Sequence, residues 1–342
     1  MTADATSATR AEVLDWILRS ERFLLNTHEN PDGDALGSIV AMQGLLTALG
    51  KDSLMLMGPD EFPLPHEYRF FELDGLVHSP PKDVAERTIV FLDCGNIDRN
   101  PAHERFAGAR TLNIDHHHDN TRFGTLDYVV PSASCTAEIV WDLMRVLDVV
   151  PTPTIAEALY VGLVTDTGRF MYENTGPRAH EMAADLIALG VDVQGVYRRL
   201  YEDVPPAKLA LLARALENIR RYDGGRLTFA QLTLADFAAT EAEESYQEGV
   251  IDHLRAVQGT KVAALSRELA GADRRAERKV SLRATDDDVD VSAIARAQGG
   301  GGHRRAAGFS TDLDIDELVA FLRHEIAEQL GVAEPEASAT FK

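Results

Sequence analysis

Carboxylates and imidazoles follow three short apolar runs of this chain. His28, Asp32 and Asp34 come after Arg22–Thr27 as His-x3-Asp-x-Asp, Asp93 after Thr88–Leu92, and Asp115-His116-His117 after Thr111–Ile114. Asp166 stands in Gly162-Leu-Val-Thr-Asp-Thr-Gly168, behind a helical pattern and just before a glycine turn. Carboxylates gathered in one cleft raise one another's pKa, and loss of water adds to the penalty on the ionised forms. Divalent cations remove that penalty. The donors are oxygen and imidazole nitrogen with no thiolate, which suits manganese or magnesium and leaves iron, cobalt and zinc open. Even six of these residues would exceed the needs of one catalytic ion, whereas two ions bridged by a carboxylate suit attack of water on a phosphate ester. Each residue alone has a plainer role: Asp34 as a helix cap, Asp32 as a turn residue, Asp93 as a strand end, the histidines as an exposed loop. Their joint occurrence at the ends of apolar runs is the argument for a site.

A second constellation is Gly299-Gly300-Gly301-Gly302-His303-Arg304-Arg305, ahead of Gly308-Phe309. Consecutive glycines let backbone N–H groups turn toward an anion, and His303 with Arg304 or Arg305 would clamp a phosphate. The run is neither a P-loop nor a dinucleotide fingerprint, because it lacks Gly-Lys-Ser/Thr and does not open a helix after a strand.

These residues need a scaffold that brings strand ends together. Apolar runs at Arg22–Thr27, Ser53–Met57, Thr88–Leu92 and Thr111–Ile114 read as buried strands. Helical patterns cover Ala11–Arg19, Asp34–Leu49 (with Asp34 as its cap), Ala133–Leu147, Thr154–Val164 and Pro177–Leu189. Strands alternating with helices predict an α/β fold with a parallel sheet, whose ligands bind at the carboxyl ends of the strands. The pattern loosens after Gly190 and Pro205-Pro206 punctuates it, so residues 1–190 read as one domain and 191–207 as a linker. Residues 208–332 read as a smaller α/β domain. Its strands are expected at Arg226–Leu232, Val262–Arg267, Lys279–Arg283 and Ala307–Ser310, and its helices at Asp290–Ala297 and from Asp314 to about Leu330. The active-site cleft is expected between the two domains. The polar start, residues 1–9, and the tail, 333–342, are expected to be disordered.

Composition narrows the class. With 342 residues, 45% of them hydrophobic, the chain can bury sizeable cores. It offers no signal-peptide pattern and no long apolar span, so a cytoplasmic protein without a membrane partner is expected. The two cysteines, Cys94 and Cys135, are far apart and suggest buried reduced thiols. A net charge of -21 argues against coating long nucleic acids, although basic residues outnumber acidic ones between Lys261 and Arg305.

With these motifs in place the sequence resembles the DHH phosphoesterase family, named for the motif at Asp115-His116-His117. Asn26 to Ser38 looks like the family's first motif, Phe91-Leu92-Asp93 its second, Thr165-Asp166-Thr167-Gly168 its fourth, and Gly299–Phe309 the signature of the DHH-associated C-terminal domain. The resemblance covers nearly the whole chain. It implies that His28, Asp32, Asp34, Asp93, His116 and Asp166 hold two divalent ions, manganese above all, with Asp93 and Asp166 shared between them. It further implies that His117 faces the substrate phosphate and that Arg267, Ser281, Arg283, Gly300, Gly301, Gly302, His303 and Arg304 hold the nucleotide. His118 and Ala284 depart from residues common in the family; neither touches the implied ligands. The length resembles the branch that degrades short oligoribonucleotides to mononucleotides and dephosphorylates 3'-phosphoadenosine 5'-phosphate (pAp). Hydrolysis of pApA or cyclic di-AMP is the alternative within the same chemistry, and a noncatalytic nucleotide sensor or RNA-binding module the alternative outside it. A homodimer is also implied.

Overall fold

Parallel neighbours cannot be joined by a tight turn, so each return crosses a helix or a long loop, and strands covered on both faces become apolar throughout. That is the pattern in the first half of the chain. The computed structural model describes residues 7–100, 102–106, 108–269 and 276–332, and the chain divides into two compact units that part between Asp203 and Val204. The first contains helix α1 (Arg10–Arg19), strand β1 (Arg22–Asn26), α2 (Gly33–Ala48), β2 (Asp52–Leu56), β3 (Leu76–Val77), β4 (Thr88–Leu92), β5 (Thr111–Asp115) and β6 (Leu126–Val129). Helices α3 (Thr136–Val146), α4 (Pro153–Asp166), α5 (Pro177–Ala188) and α6 (Val193–Tyr197) follow. All six strands are parallel, in the order β3-β2-β1-β4-β5-β6. The chain therefore runs outward from β1 to β3 and then reverses to β4 on β1's other side, which makes the β1/β4 boundary a switch point where a crevice opens at the carboxyl ends.

Helices α2 and α4 are apolar nearly all round and buried; α2 packs on the sheet, and the two helices pack closely on each other. Their approach depends on two glycines. A Cβ on Gly37 would lie 2.4 Å from the Ala158 carbonyl oxygen, and one on Gly162 would lie 2.8 Å from Ala137 Cβ and 2.9 Å from Asp34 Oδ1.

Several expectations are corrected. The N-cap of α2 is Asp32, whose side chain accepts from the N–H groups of Asp34 and Ala35, not Asp34; Asp34 is thereby released for another partner. Residues 7–9 are ordered, because Ser7 hydrogen-bonds the β6 backbone and Thr9 closes a capping box with Glu12; residues 1–6 and 333–342 lie outside the described residues. The stretch that loosens in sequence after Gly190 is helical, with α6 followed by a π turn over Arg198–Glu202, and Val196 and Leu200 belong to the first unit's core. Strands β3 and β6, two and four residues long, are too short to stand out beforehand.

The second unit contains α7 (Pro206–Glu217), β7 (Arg220–Tyr222), β8 (Leu227–Leu232), α8 (Leu234–Thr240), α9 (Val250–Arg255), β9 (Val262–Glu268), β10 (Arg278–Ala284), α10 (Val291–Ala297), β11 (Gly301–His303), β12 (Ala306–Thr311) and α11 (Ile315–Leu330). Its sheet runs β11-β12-β10-β9-β8-β7 and is mixed, only β8 and β9 being parallel. One face packs Val280, Leu282 and Phe309 under Leu318 and Leu322 of α11; the other packs Leu265 under Leu211, Ile251 and Leu254. The glycine run is not a free loop. Gly301–His303 pairs with Ala306–Gly308, and a Cβ on Gly300 would strike the Gly308 carbonyl oxygen at 2.2 Å. Close packing of backbone against backbone is one reason for glycine there.

Candidate metal centre

The switch point concentrates the carboxylates. His28 follows β1 and is buried; its Nδ1 is 2.7 Å from the Glu29 carbonyl oxygen, which points Nε2 to within 3.6 Å of Asp93 Oδ2. Asp93 follows β4 and is only 3% exposed. Its φ of 58° is a left-handed conformation that a non-glycine residue adopts at some cost, and it turns the carboxylate away from the strand direction. Asp93 Oδ1 lies 3.6 Å from both His116 Nε2 and His117 Nδ1, and accepts from Thr136 Oγ1 at 3.1 Å. His116 Nε2 is in turn 3.7 Å from Asp166 Oδ2 at the end of α4.

Asp34, released from the capping position, accepts from Thr136 N–H at 2.7 Å, Ala137 N–H at 2.9 Å and Ser38 Oγ at 3.2 Å. The start of α3 thus has its unpaired N–H groups satisfied by a buried carboxylate, and the helix dipole favours the negative charge. Even so, burial and then the carboxylates of Asp93, Asp166 and Asp32 push Asp34 well above the usual carboxylate range. Burial pushes Asp166 up to about 7, against the pull of His116 and with Asp93 adding to it. For Asp93 burial is outweighed by the His28 contact and the nearby His117 and His116, which hold it below its ordinary value. Among the described residues, donor atoms within 4.8 Å of one another form three groups: His28, Asp32 and Asp93; Asp34, His116 and Asp166; and Asp93, Asp115, His116 and His117. The first two share no residue. Cys94 and Cys135 are buried free thiols, and burial pushes Cys94 up to about 12, so neither offers a thiolate here.

Four polar residues outside the implied ligand set, Asp115 of the motif itself among them, hold this arrangement. Asp115, fully buried, accepts from His116 N–H at 2.8 Å, His117 Nδ1 at 2.7 Å and Asn120 Nδ2 at 2.5 Å. Asn174 Nδ2 donates to Asp166 Oδ2 at 3.1 Å and to Ser134 O at 2.8 Å. Thr136 bonds both Asp34 and Asp93. The signal for Asn120 and Asn174 was weak: an amide a few residues beyond a motif acidic residue, with nothing to say which way it points.

In the second unit, strand register places Arg267, Ser281 and Arg283 on one sheet face, with Gly308 opposite Ser281 and Ala306 opposite Arg283. Gly301 and His303 register in turn with Gly308 and Ala306, while Gly300 precedes β11 and Gly302 lies within it. Arg267 is buried and ion-paired to Glu244, and Arg304 Nη2 donates to the Asp287 carbonyl at 2.8 Å.

The DHH family N-terminal domain matches residues 22–163 and the DHHA1 domain residues 240–328. The bifunctional oligoribonuclease and PAP phosphatase NrnA of Thermus thermophilus is 34% identical over 309 residues, 89% of this chain and 89% of that protein. The chain belongs to the DHH family. Like other DHH phosphoesterases it is a hydrolase of phosphate esters, and its second unit carries the DHHA1 domain. An exopolyphosphatase-related protein from Bacteroides fragilis shares the DHH-chain fold with a TM-score of 0.80 at 22% identity, covering 94% of this chain and 96% of that one. RecJ from Thermus thermophilus in complex with Mn2+ shares the fold with a TM-score of 0.53 at 16% identity, covering 95% and 55%.

The centre makes a prediction for the chelated protein. Asp166 (3.8 raised to about 7) and His117 (6.5 raised to about 10) hold protons in the native state that the unfolded chain has released, and Asp34 and His28 shift the same way. For His117 the largest influence, burial, lowers the value, and the Asp115 bond with the Asp93 charge overrides it. Native stability should therefore fall as pH rises from 6 to 8, by about 1.4 kcal/mol per pH unit for each extra proton held. The lowered groups, Asp93 and Asp115, titrate below this window. Melting curves in excess chelator should show Tm falling with pH; a Tm that rises between pH 6 and 8 would contradict the reading.

Proposed function

We propose that His28, Asp32, Asp34, Asp93, His116 and Asp166 hold two divalent cations, manganese being the first to test, and that the enzyme hydrolyses short oligoribonucleotides and pAp. The observation that carries this is the division of the six residues into two separate donor triplets, in a crevice where burial leaves Asp34 and Asp166 reluctant to ionise. An all-oxygen and imidazole donor set fits such ions. When bound, they supply Lewis acidity at the phosphoryl oxygens and an acidified attacking water. The named activity of the Thermus thermophilus relative supports the substrate class, and the RecJ complex supports manganese.

The chain's own side chains do the rest. His117, held at Nδ1 by Asp115, presents Nε2–H as a donor to a phosphoryl or leaving oxygen. Asp115 keeps that ring in place and favours its protonated form; Asn120 holds Asp115 from the other side. Asp115→Asn should therefore lower kcat by roughly 10–100-fold, the usual cost of losing a group that orients a site residue. KM should change little. A kcat within twofold of wild type would remove Asp115 from the account.

In the second unit we assign nucleotide binding to Arg267, Ser281, Arg283, Gly300–Gly302, His303 and Arg304. A phosphate reaching Arg267 replaces the Glu244 carboxylate as its partner. The net charge of -21 disfavours long polyanions elsewhere on the surface. Turnover of pAp, pApA, cyclic di-AMP, an RNA dinucleotide and a long RNA by the manganese-loaded enzyme tests the assignment. Preference for the long RNA would contradict it. A homodimer and a cytoplasmic location belong to the same proposal, for light scattering and cell fractionation to test; among the described residues no helix is long and apolar enough to cross a membrane.

A further inference from the structure

A cavity of about 480 Å3 opens within the first unit beyond the carboxyl ends of β1, β2 and β3. Its volume falls in the range of roughly 300–1,000 Å3 typical of small-ligand sites. His28 belongs both to this wall and to the donor triplet with Asp32 and Asp93. A ligand in the cavity is therefore a direct neighbour of the candidate metal centre.

The lining says what that ligand is. Leu56, Met57 and Pro80 offer apolar surface suited to the flat face of a ring, with the exposed Ser79 among the polar groups beside them. Arg105 is opposed by Asp60 and Glu61, so the cavity has no excess of positive charge and is not built for a phosphate. A lipid chain would cover the charged Asp60, Glu61 and Arg105 side chains with hydrocarbon. A base with its ribose satisfies both halves.

We propose that this cavity binds the nucleoside attached to the phosphate held at the metal centre, an inference that rests on the function proposed above. Recognition of one nucleoside in a bounded cavity next to the phosphate would favour substrates with a terminal nucleotide over interior positions of a long chain.

Gly58 gives access to a test. It lines the cavity, a Cβ there would meet nothing within 4 Å, and its φ of -63° and ψ of 157° suit any residue. Gly58→Trp should fill the space, and Ser79→Trp should fill it from a second lining position, which is exposed. Calorimetry on the manganese-loaded enzyme would compare AMP with ribose 5-phosphate, which lacks the base. The wild type should bind AMP at least about tenfold more tightly, and both variants should lose that advantage. If Gly58→Trp melts well below wild type, Ser79→Trp decides. Equal binding of the two ligands by wild type, or an AMP advantage kept in a folded variant, would overturn the inference. RNA dinucleotide hydrolysis on the same wild-type sample separates the two ideas: hydrolysis without an AMP advantage sinks only the cavity, and an AMP advantage without hydrolysis sinks only the proposed reaction.

Discussion

Asp93→Ala should reduce kcat on an RNA dinucleotide by roughly a thousandfold or more, about 4 kcal/mol of transition-state stabilisation. No other carboxylate in the centre has its connections. It faces His28 on one side and His116 and His117 on the other, each at 3.6 Å, and so joins the first donor triplet to the histidine pair. Its position depends on a left-handed backbone at the switch point and on the Thr136 hydroxyl, neither of which a neighbouring acid can borrow. Asp93→Asn separates charge from shape. The amide fills the same space and can still accept from Thr136, so a loss as large as that of alanine assigns the effect to the missing charge. Parallel melting curves guard against unfolding. Loss of less than tenfold in both variants would mean that the chemistry occurs elsewhere.

Gly37→Val should destabilise the fold by about 3 kcal/mol, the upper part of the usual range for overpacking, and lower Tm by on the order of 10 °C. The obstruction is backbone: the Ala158 carbonyl oxygen 2.4 Å from the new Cβ, with Gly162 N 3.1 Å away. Side-chain rotation cannot relieve it, so α2 and α4 must separate. Asp34 stands on α2 and Asp166 ends α4, so separation also spreads the Asp34, His116 and Asp166 triplet. Stability and metal affinity should fall together. Gly58→Ala is the control, since its Cβ meets open space. A Gly37→Val protein melting within 2 °C of wild type would show that the helix contact is looser than described.

The strong elements of the first unit were legible because their information is local. Thr88–Leu92 is an unbroken apolar run, and it is β4 from end to end. The carboxylates could be grouped because a parallel sheet collects strand ends on one side, whatever the order of its strands. Position along the chain could not decide which of two neighbouring aspartates caps α2. Asp32 and Asp34 are both good caps, and the choice is made by Thr136 and Ala137, whose N–H groups approach Asp34 from another helix. The glycine run was incomplete as a signal for a related reason. Backbone freedom suits an anion site and close strand pairing equally well, and the pairing shows only in the register with Ala306–Gly308. Residues around Gly190–Glu202 looked loose because α6 and its π turn are short and partly polar, while Val196 and Leu200 are anchored by long-range packing.

The most direct test is a titration of Mn2+ into the chelated enzyme, following bound metal and hydrolysis of an RNA dinucleotide together. The two donor triplets predict two ions per chain, with hydrolysis reaching its plateau only when the second has bound. Full hydrolysis in excess chelator, or an intact dinucleotide at saturating Mn2+, would contradict the account.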